Sequence, residues 1–363
     1  MNILFMFTIP SGGMDTLNRQ RERALSSIGY SCHFLYRYEG TGLQNHLNSP
    51  VYITNEPTEW IEIVLRQNFD AIVISYDLHM LKTIGESSYK GILIYDNQGV
   101  GKRKRYVEQY IHSQAYPFIH RYSDAIMCPR TPHLMEAFEA FFPYKKKYYM
   151  HNGIDTESFR YIPHSKHPNL IVGWVGRLEE NKNWRDFLLI GKEIKQQYPS
   201  TELWIFEDES VSYPSQRKAF QSFMNEHGLH SSVTIHPSVP HQEMATYYSI
   251  IGDSGGFLCS TSKVEGFGYA VLEAMLCQCP VLATDSDGVR SFITHNQTGK
   301  FYEIHNISEA VKEGTELLEN RTLRKRLIGN ALNHVQTNFS LEQYAQTFAA
   351  MLQELMEDKT GGG

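Results

Sequence analysis

KVEGFGYAVLEAMLCQCP, Lys263–Pro280, sets a loop carboxylate (Glu265), two glycines (Gly266 and Gly268) and a helix bearing a second carboxylate (Glu273) in succession. Glycines let backbone approach a ligand closely, and a helix start presents N–H groups to a phosphate. In one unbroken helix the two carboxylates would stand about 12 Å apart, at about 1.5 Å per residue. The Gly-Phe-Gly turn breaks that geometry, so the spacing predicts Glu265 folded back over the helix mouth, with Glu273 facing the same cleft. The plainer reading is a buried strand–turn–helix with two solvated glutamates. Either way, apolar runs flank the stretch at Gly256–Ser260 and Val281–Thr284. Strand, turn, helix and strand in that order are the repeating unit of a parallel sheet.

The same rhythm extends in both directions. Leu170–Gly176, Glu202–Asp208 and Val233–His236 read as strands before it, and helices follow to about residue 357. Toward the N-terminus, Asn2–Thr8 reads as a strand, then Asp15–Ile28 as a helix ending at Gly29, with Leu17, Ala24, Leu25 and Ile28 on one face. Ser31–Tyr38, Val51–Thr54, Phe69–Ser75, Gly91–Asp96 and Asp124–Pro129 are further strands with helices between them. Phe159–Asn169, with its prolines and histidines and no periodicity, is the expected linker. The expected organisation is residues 1–160 as one α/β domain, 161–338 as a second, and 339–363 as a helix and tail returning to the first. Each domain is a doubly wound parallel sheet whose strand C-termini face a central cleft.

Composition narrows the class. The chain has 363 residues, enough for two cores, and is 41% hydrophobic with 22 Tyr and 19 Phe. A net charge of −6 argues against nucleic acid as a partner. Of the five cysteines, Cys32, Cys128 and Cys259 lie far apart. Cys277 and Cys279 form a lone CxC pair without a matching Cys/His pair, which argues against zinc. The set fits a reducing, cytoplasmic compartment. MNILFMFTIP lacks a basic n-region and reads as a first buried strand rather than a signal peptide. No window approaches the roughly 18 apolar residues of a membrane span.

Four segments fall at strand C-termini, where open α/β sheets bind ligands. In TIPSGGMD, Thr8–Asp15, the amides of Gly12 and Gly13 are suited to cradle an anion, against a plain strand-to-helix turn. In GRLEENKN, Gly176–Asn183, Arg177 and Lys182 are suited to clamp a diphosphate, against a solvated loop that pairs Arg177 with Glu179 or Glu180. HNGID, His151–Asp155, is a ligand contact or a hinge turn. Glu265–Glu273 is the fourth.

Taken together, in this order and spacing, the four segments resemble the retaining glycosyltransferases of the GT-B fold, in particular glycosyltransferase family 4. The resemblance covers nearly the whole chain and is strongest over EGFGYAVLEAMLCQCPVLATD, which matches the family's E-x7-E block and the strand after it. It implies that Glu273 binds the donor's ribose and that Arg177 and Lys182 neutralise the departing diphosphate. Glu265, with the amides of Gly266, Phe267 and Gly268, would sit near the transferred sugar and distal phosphate, and Gly13 would bring first-domain backbone to the diphosphate. The implied activity is transfer of a sugar from a UDP- or GDP-sugar to an unidentified acceptor (glycan, small molecule or lipid-linked), with retention and without metal or other cofactor. The alternatives are a nucleotide-sugar 2-epimerase of the same fold, or a non-catalytic descendant that binds or builds.

The chain departs from the family pattern in places. Where family members commonly carry a histidine near the donor sugar, this sequence has Asp96 and Asn97, the candidate contacts to sugar or acceptor. Glu202–Asp208 runs into FEDES instead of a glycine-bearing turn, so base recognition is expected to differ. Asp285-Ser-Asp287 mimics a metal motif of another fold and reads as a loop. GKRKR (Gly101–Arg105) and YKKKYY (Tyr144–Tyr149) suit an anionic membrane surface or lipid phosphate, against solvated helix starts and turns. Peripheral contact with the inner membrane surface is thus an expectation about partners and location. Tyr247 and Tyr248 read as helix packing, not as a platform for a base.

Overall fold

The computed structural model describes residues 1–45, 48–99, 105–209 and 212–361. The chain divides into two compact units, Met1–Asp155 with Phe339–Gly363, and Thr156–Asn338.

The first unit holds seven strands: β1 (Asn2–Phe7), β2 (Ser31–Tyr36), β3 (Val51–Ile53), β4 (Ala71–Ser75), β5 (Ile92–Asp96), β6 (Ala125–Cys128) and β7 (Lys146–Tyr149). They pair in parallel in the order β3-β2-β1-β4-β5-β6-β7, so the winding reverses between β1 and β4. Successive residues point to opposite faces, and the sequence is apolar on both. Leu4, Met6, Ile72, Ile74, Leu93 and Tyr95 pack with Trp60, Leu81 and Phe138 on one side. Ile3, Phe5, Phe34, Val73 and Ile94 pack with Ala24, Leu25, Phe348 and Leu352 on the other. The last four residues named come from the first helix, Gly12–Ser26, and the last, Leu341–Gly361. The C-terminal helix is therefore part of this unit's core.

The second unit has six parallel strands: β8 (Ile171–Val175), β9 (Glu202–Glu207), β10 (Val233–Pro237), β11 (Phe257–Ser260), β12 (Val281–Thr284) and β13 (Lys300–Tyr302). Their order is β10-β9-β8-β11-β12-β13, which places the reversal between β8 and β11. One face buries Val172, Trp174, Leu203, Ile205 and Cys259 under Trp184, Phe187, Ile194 and Leu317.

Three readings of the sequence need correction. The first helix begins at Gly12, not Asp15, because Asp15 is buried and its carboxylate accepts from Arg19 at 2.9 Å inside the helix. Phe159–Asn169 is not a free linker but packs on the second unit. Phe159 is buried against the His241 ring at 4.7 Å, Ile162 N donates to Ser249 Oγ at 3.0 Å, and Tyr161 donates to Asp253 at 2.7 Å. Lys146–Tyr149 is an edge strand whose lysines have partners. Lys146 meets Glu354 at 2.6 Å and also Asp358, Lys147 meets Glu139 at 3.2 Å, and Lys145 donates to the Ser123 carbonyl. Residues 101–104 of the other basic stretch lie outside the described residues. Among the described residues, no helix is long and apolar enough to cross a membrane.

HNGID is where the last helix enters the first unit. Ile154 N donates to Phe339 O at 2.8 Å, and Asp155 pairs with Arg23. A Cβ on Gly153 would lie 2.9 Å from Tyr344 Cβ, so only glycine lets that helix come this close.

Candidate functional site

Adjacent strands at a winding reversal send their loops out side by side. In the second unit these are the loops after β8 and β11, which bring Gly176–Asn183 against Thr261–Gly268. Lys182 Nζ donates to Glu265 Oε1 at 2.6 Å, although 83 residues separate them. Both side chains keep some surface, 23% and 13% exposed. A Cβ on Gly176 would lie 3.2 Å from Lys182 Cγ, so the glycine clears the path of the lysine stem. Arg177 pairs with Glu179 at 3.2 Å, the partner weighed in the solvated-loop reading, and is 49% exposed. An exposed pair of this kind contributes at most about 1 kcal/mol, so an incoming anion displaces it readily.

Beyond Glu265, Gly268 caps the helix Tyr269–Leu276 with a φ of +98°, which favours glycine. Phe267 is buried, edge-on to Tyr269 (5.0 Å) and Phe292 (5.6 Å), and so anchors the Gly-Phe-Gly turn. One turn into the helix, Glu273 is buried and both its oxygens are held. His241 Nε2 lies 2.7 Å from Oε1, and the Tyr248 hydroxyl donates to Oε2 at 3.1 Å. Burial, then the neighbouring Glu273 carboxylate, pushes the Tyr248 phenol well above its ordinary range, so it remains a donor. Each carboxylate oxygen has two lone pairs, so both retain acceptor capacity. Nothing in the sequence announced His241 and Tyr248 as partners of Glu273. They lie 32 and 25 residues before it, and Tyr248 was legible only as packing.

At the end of β9, Glu207 forms a two-point pair with Arg217 at 3.0 and 3.1 Å. Asp285 and Asp287 face Arg290 at 2.6 and 3.5 Å. Among the described residues, no group of three or more His, Cys, Asp or Glu side chains is placed to hold a metal ion.

In the first unit, Gly12 and Gly13 form the exposed start of the helix Gly12–Ser26, and a Cβ on either would meet open space. Asp96 and Asn97, the candidate contacts to sugar or acceptor, lie at the end of β5. Neither exposes any surface. Asp96 is the counter-ion of Arg21, itself fully buried, at 2.9 Å, and also accepts from Ser75 at 2.7 Å and Gln98 at 2.7 Å. Arg21 also donates to the Tyr344 hydroxyl at 3.1 Å, which ties the last helix to the first. Burial disfavours the guanidinium charge, but Asp96 and Tyr344 outweigh it and raise its pKa. Asn97 Oδ1 accepts from Gly99 N at 3.0 Å and so shapes the turn after β5.

Comparison with known proteins places this geometry in a class. Residues 155–334, nearly the whole second unit, match the family model described as glycosyl transferases group 1. The Anabaena protein HepE is similar over 98% of this chain and 100% of its own, at 17% identity. The TM-score is 0.82 for its complex with UDP-glucose and 0.80 for its complex with UDP and glucose. Glycosyltransferase 1 domain-containing protein 1 of Xenopus tropicalis is 33% identical over 98 residues, 27% of this chain and 28% of that protein. D-inositol 3-phosphate glycosyltransferase of Paenarthrobacter aurescens is 25% identical over 188 residues, 49% of this chain and 44% of that protein. The chain thus spans less than half the length of these two curated relatives. The fold is GT-B, two parallel-sheet α/β domains. The match to the glycosyl transferases group 1 model is confined to residues 155–334, so the likeness in sequence lies in the second unit.

Proposed function

We propose that this protein is a retaining, metal-independent glycosyltransferase that moves a sugar from a nucleoside diphosphate sugar to an acceptor hydroxyl. The observation that carries this reading is the meeting of Lys182 with Glu265 at 2.6 Å, beside the N-terminus of the helix that bears Glu273. Cleavage of a sugar–phosphate bond builds positive charge on the ring and negative charge on the leaving oxygen. Preorganised cations and amides at that oxygen lower the barrier most. Lys182 and the exposed Arg177 supply the cations, and the helix start with Gly266, Phe267 and Gly268 supplies the amides. Glu265 stands beside Lys182, where it answers the ring's developing charge. Glu273 accepts from the ribose hydroxyls with the capacity that His241 and Tyr248 leave open. In the first unit, the exposed amide of Gly13 suits an anion.

Retention follows if the acceptor attacks from the face the phosphate leaves. The acceptor oxygen bonds to the anomeric carbon, the bond to phosphate breaks, and the departing phosphate oxygen takes the acceptor's proton. The UDP and UDP-glucose held by HepE favour a uridine donor. Five buried, unpaired cysteines favour a reducing compartment such as the cytoplasm.

A thermal-shift panel of UDP, GDP, ADP and their sugars tests the reading. The preferred nucleotide at 100 times its dissociation constant should stabilise the protein by about 2.7 kcal/mol. Glu273→Gln should abolish that gain, read against the variant's own ligand-free melt, since the change also replaces a buried carboxylate held by His241 and Tyr248. If no nucleotide shifts the wild-type melt, the reading is wrong.

A further inference from the structure

Lys182 and Glu265 sit on separate loops, and loops drift unless fastened. Here a side chain that stands beside each takes part in the fastening. Asn181, next to Lys182, donates from Nδ2 to Val264 O at 3.0 Å and accepts at Oδ1 from Val264 N at 3.1 Å. Val264 is in turn next to Glu265. The side-chain amide thus pairs with the Val264 backbone as a neighbouring strand would, at two points. A third bond, Lys263 N to Asn181 O at 2.8 Å, fixes the register. The base of the same junction is closed by Thr261, whose Oγ1 lies 2.8 Å from Lys182 O and accepts from Trp174 Nε1 at 3.0 Å.

We infer that Asn181 is a positioning residue: its amide pairing with Val264 holds Lys182 at the height where it meets the second phosphate of the donor. This rests on the assignment of Lys182 to the diphosphate. Neither Arg177 nor Glu273 hangs from this pairing, so the nucleoside and first phosphate should bind without it. The distal phosphate should not, because losing a charge-assisted hydrogen bond to it weakens binding by about 10- to 100-fold.

The test compares UMP with UDP (or GMP with GDP, should the panel favour guanine) by calorimetry in wild type, Asn181→Ala and Lys182→Ala. Expected is a UDP affinity about 10- to 100-fold weaker in both variants, with UMP affinity kept within about 2-fold and the same preference lost in each. Asn181→Asp, which keeps the side-chain size but sets a carboxylate against the Val264 carbonyl, should lose the preference too and serves if the alanine variant does not fold. A preference lost in Lys182→Ala but kept in Asn181→Ala overturns the inference and leaves the functional reading standing. A preference kept in both overturns the role given to Lys182 and the inference with it. An equal loss for UMP and UDP in Asn181→Ala shows a merely structural residue, and also overturns it.

Discussion

Removing Arg21 should unfold the first unit far more readily than any change at the exposed donor loops. Arg21 and Asp96 have no exposed side-chain surface, and the pair is 2.9 Å apart. Breaking a buried pair from one side leaves a charge without water or counter-ion, a cost of about 3–5 kcal/mol. In Arg21→Met, Asp96 would keep only the hydroxyl of Ser75 and the amide of Gln98, both at 2.7 Å. Those two donors place the cost near the lower end, about 3 kcal/mol. In a unit of this size, that lowers the melting temperature by about 6–12 °C at about 2–4 °C per kcal/mol. Asp96→Asn strands the guanidinium instead, with Tyr344 at 3.1 Å and Asn18 at 3.4 Å as its remaining partners, and should cost at least as much. The double variant Arg21→Met/Asp96→Asn removes both charges, so it should cost less than the sum by about 1–3 kcal/mol. Equilibrium urea unfolding measures all three, with midpoint and slope fitted separately. Strict additivity, or a cost below about 1 kcal/mol for either single variant, would refute the reasoning. A sugar-binding Asp96 would show the reverse pattern, with Asp96→Asn stable but catalytically impaired.

Two other outcomes follow from packing and burial. A Cβ on Gly288 would sit 2.4 Å from Glu265 O; Gly288→Ala should therefore push the carboxylate loop aside and lower turnover by about 100-fold, and an unchanged kcat would show that the loop tolerates the shift. His236 is stacked on Phe206 at 4.7 Å, its Nε2 has no hydrogen-bond partner among the described residues, and burial lowers its pKa below the ordinary 6.5. The unfolded chain then binds more protons than the folded one below about pH 6.5, so this contribution is intact above that pH and is lost as the pH falls through the folded value. His236→Phe should flatten part of the fall in the urea midpoint between about pH 7 and pH 5, whereas an identical pH profile would mean the ring titrates freely.

Much of the fold was legible because parallel strands covered on both faces read as unbroken apolar runs. AIVIS, ILIYD and VLAT needed no other signal. Two strands escaped for the same reason in reverse. KKYY (β7) and KFY (β13) are edge strands that carry lysine. Lys300 is buried only because Glu313 and Glu316 (2.6 Å) arrive from the helix Ile307–Glu319, a contact no local pattern encodes. The same limit governs the site. The cation loop and the carboxylate loop were readable as local spacings, and the winding reversal brings them together. The pairing of Asp96 with Arg21, 75 residues earlier, was not legible at all. A carboxylate at a strand end looks the same in sequence whether it faces a ligand or an arginine.

The distinction between those two fates lies in exposure, not in residue type. Donor-loop and core charges alike have internal partners: Arg177 has Glu179, Lys182 has Glu265, Glu273 has His241, and Arg21 has Asp96. Side-chain exposure falls along that series, from 49% at Arg177 to 23% at Lys182, 5% at Glu273 and zero at Arg21. A partner facing water can be exchanged for a phosphate at little cost, because both pairings are screened alike. A partner sealed from water cannot be exchanged at all without a large desolvation penalty. Arg177 and Lys182 are therefore able to trade carboxylates for a diphosphate. On the proposed reading Glu273 instead keeps its partners and adds hydroxyls, whereas Arg21 holds the first unit to its last helix. An anion that reached the second unit would find its cations pre-aimed by the carboxylates it displaces.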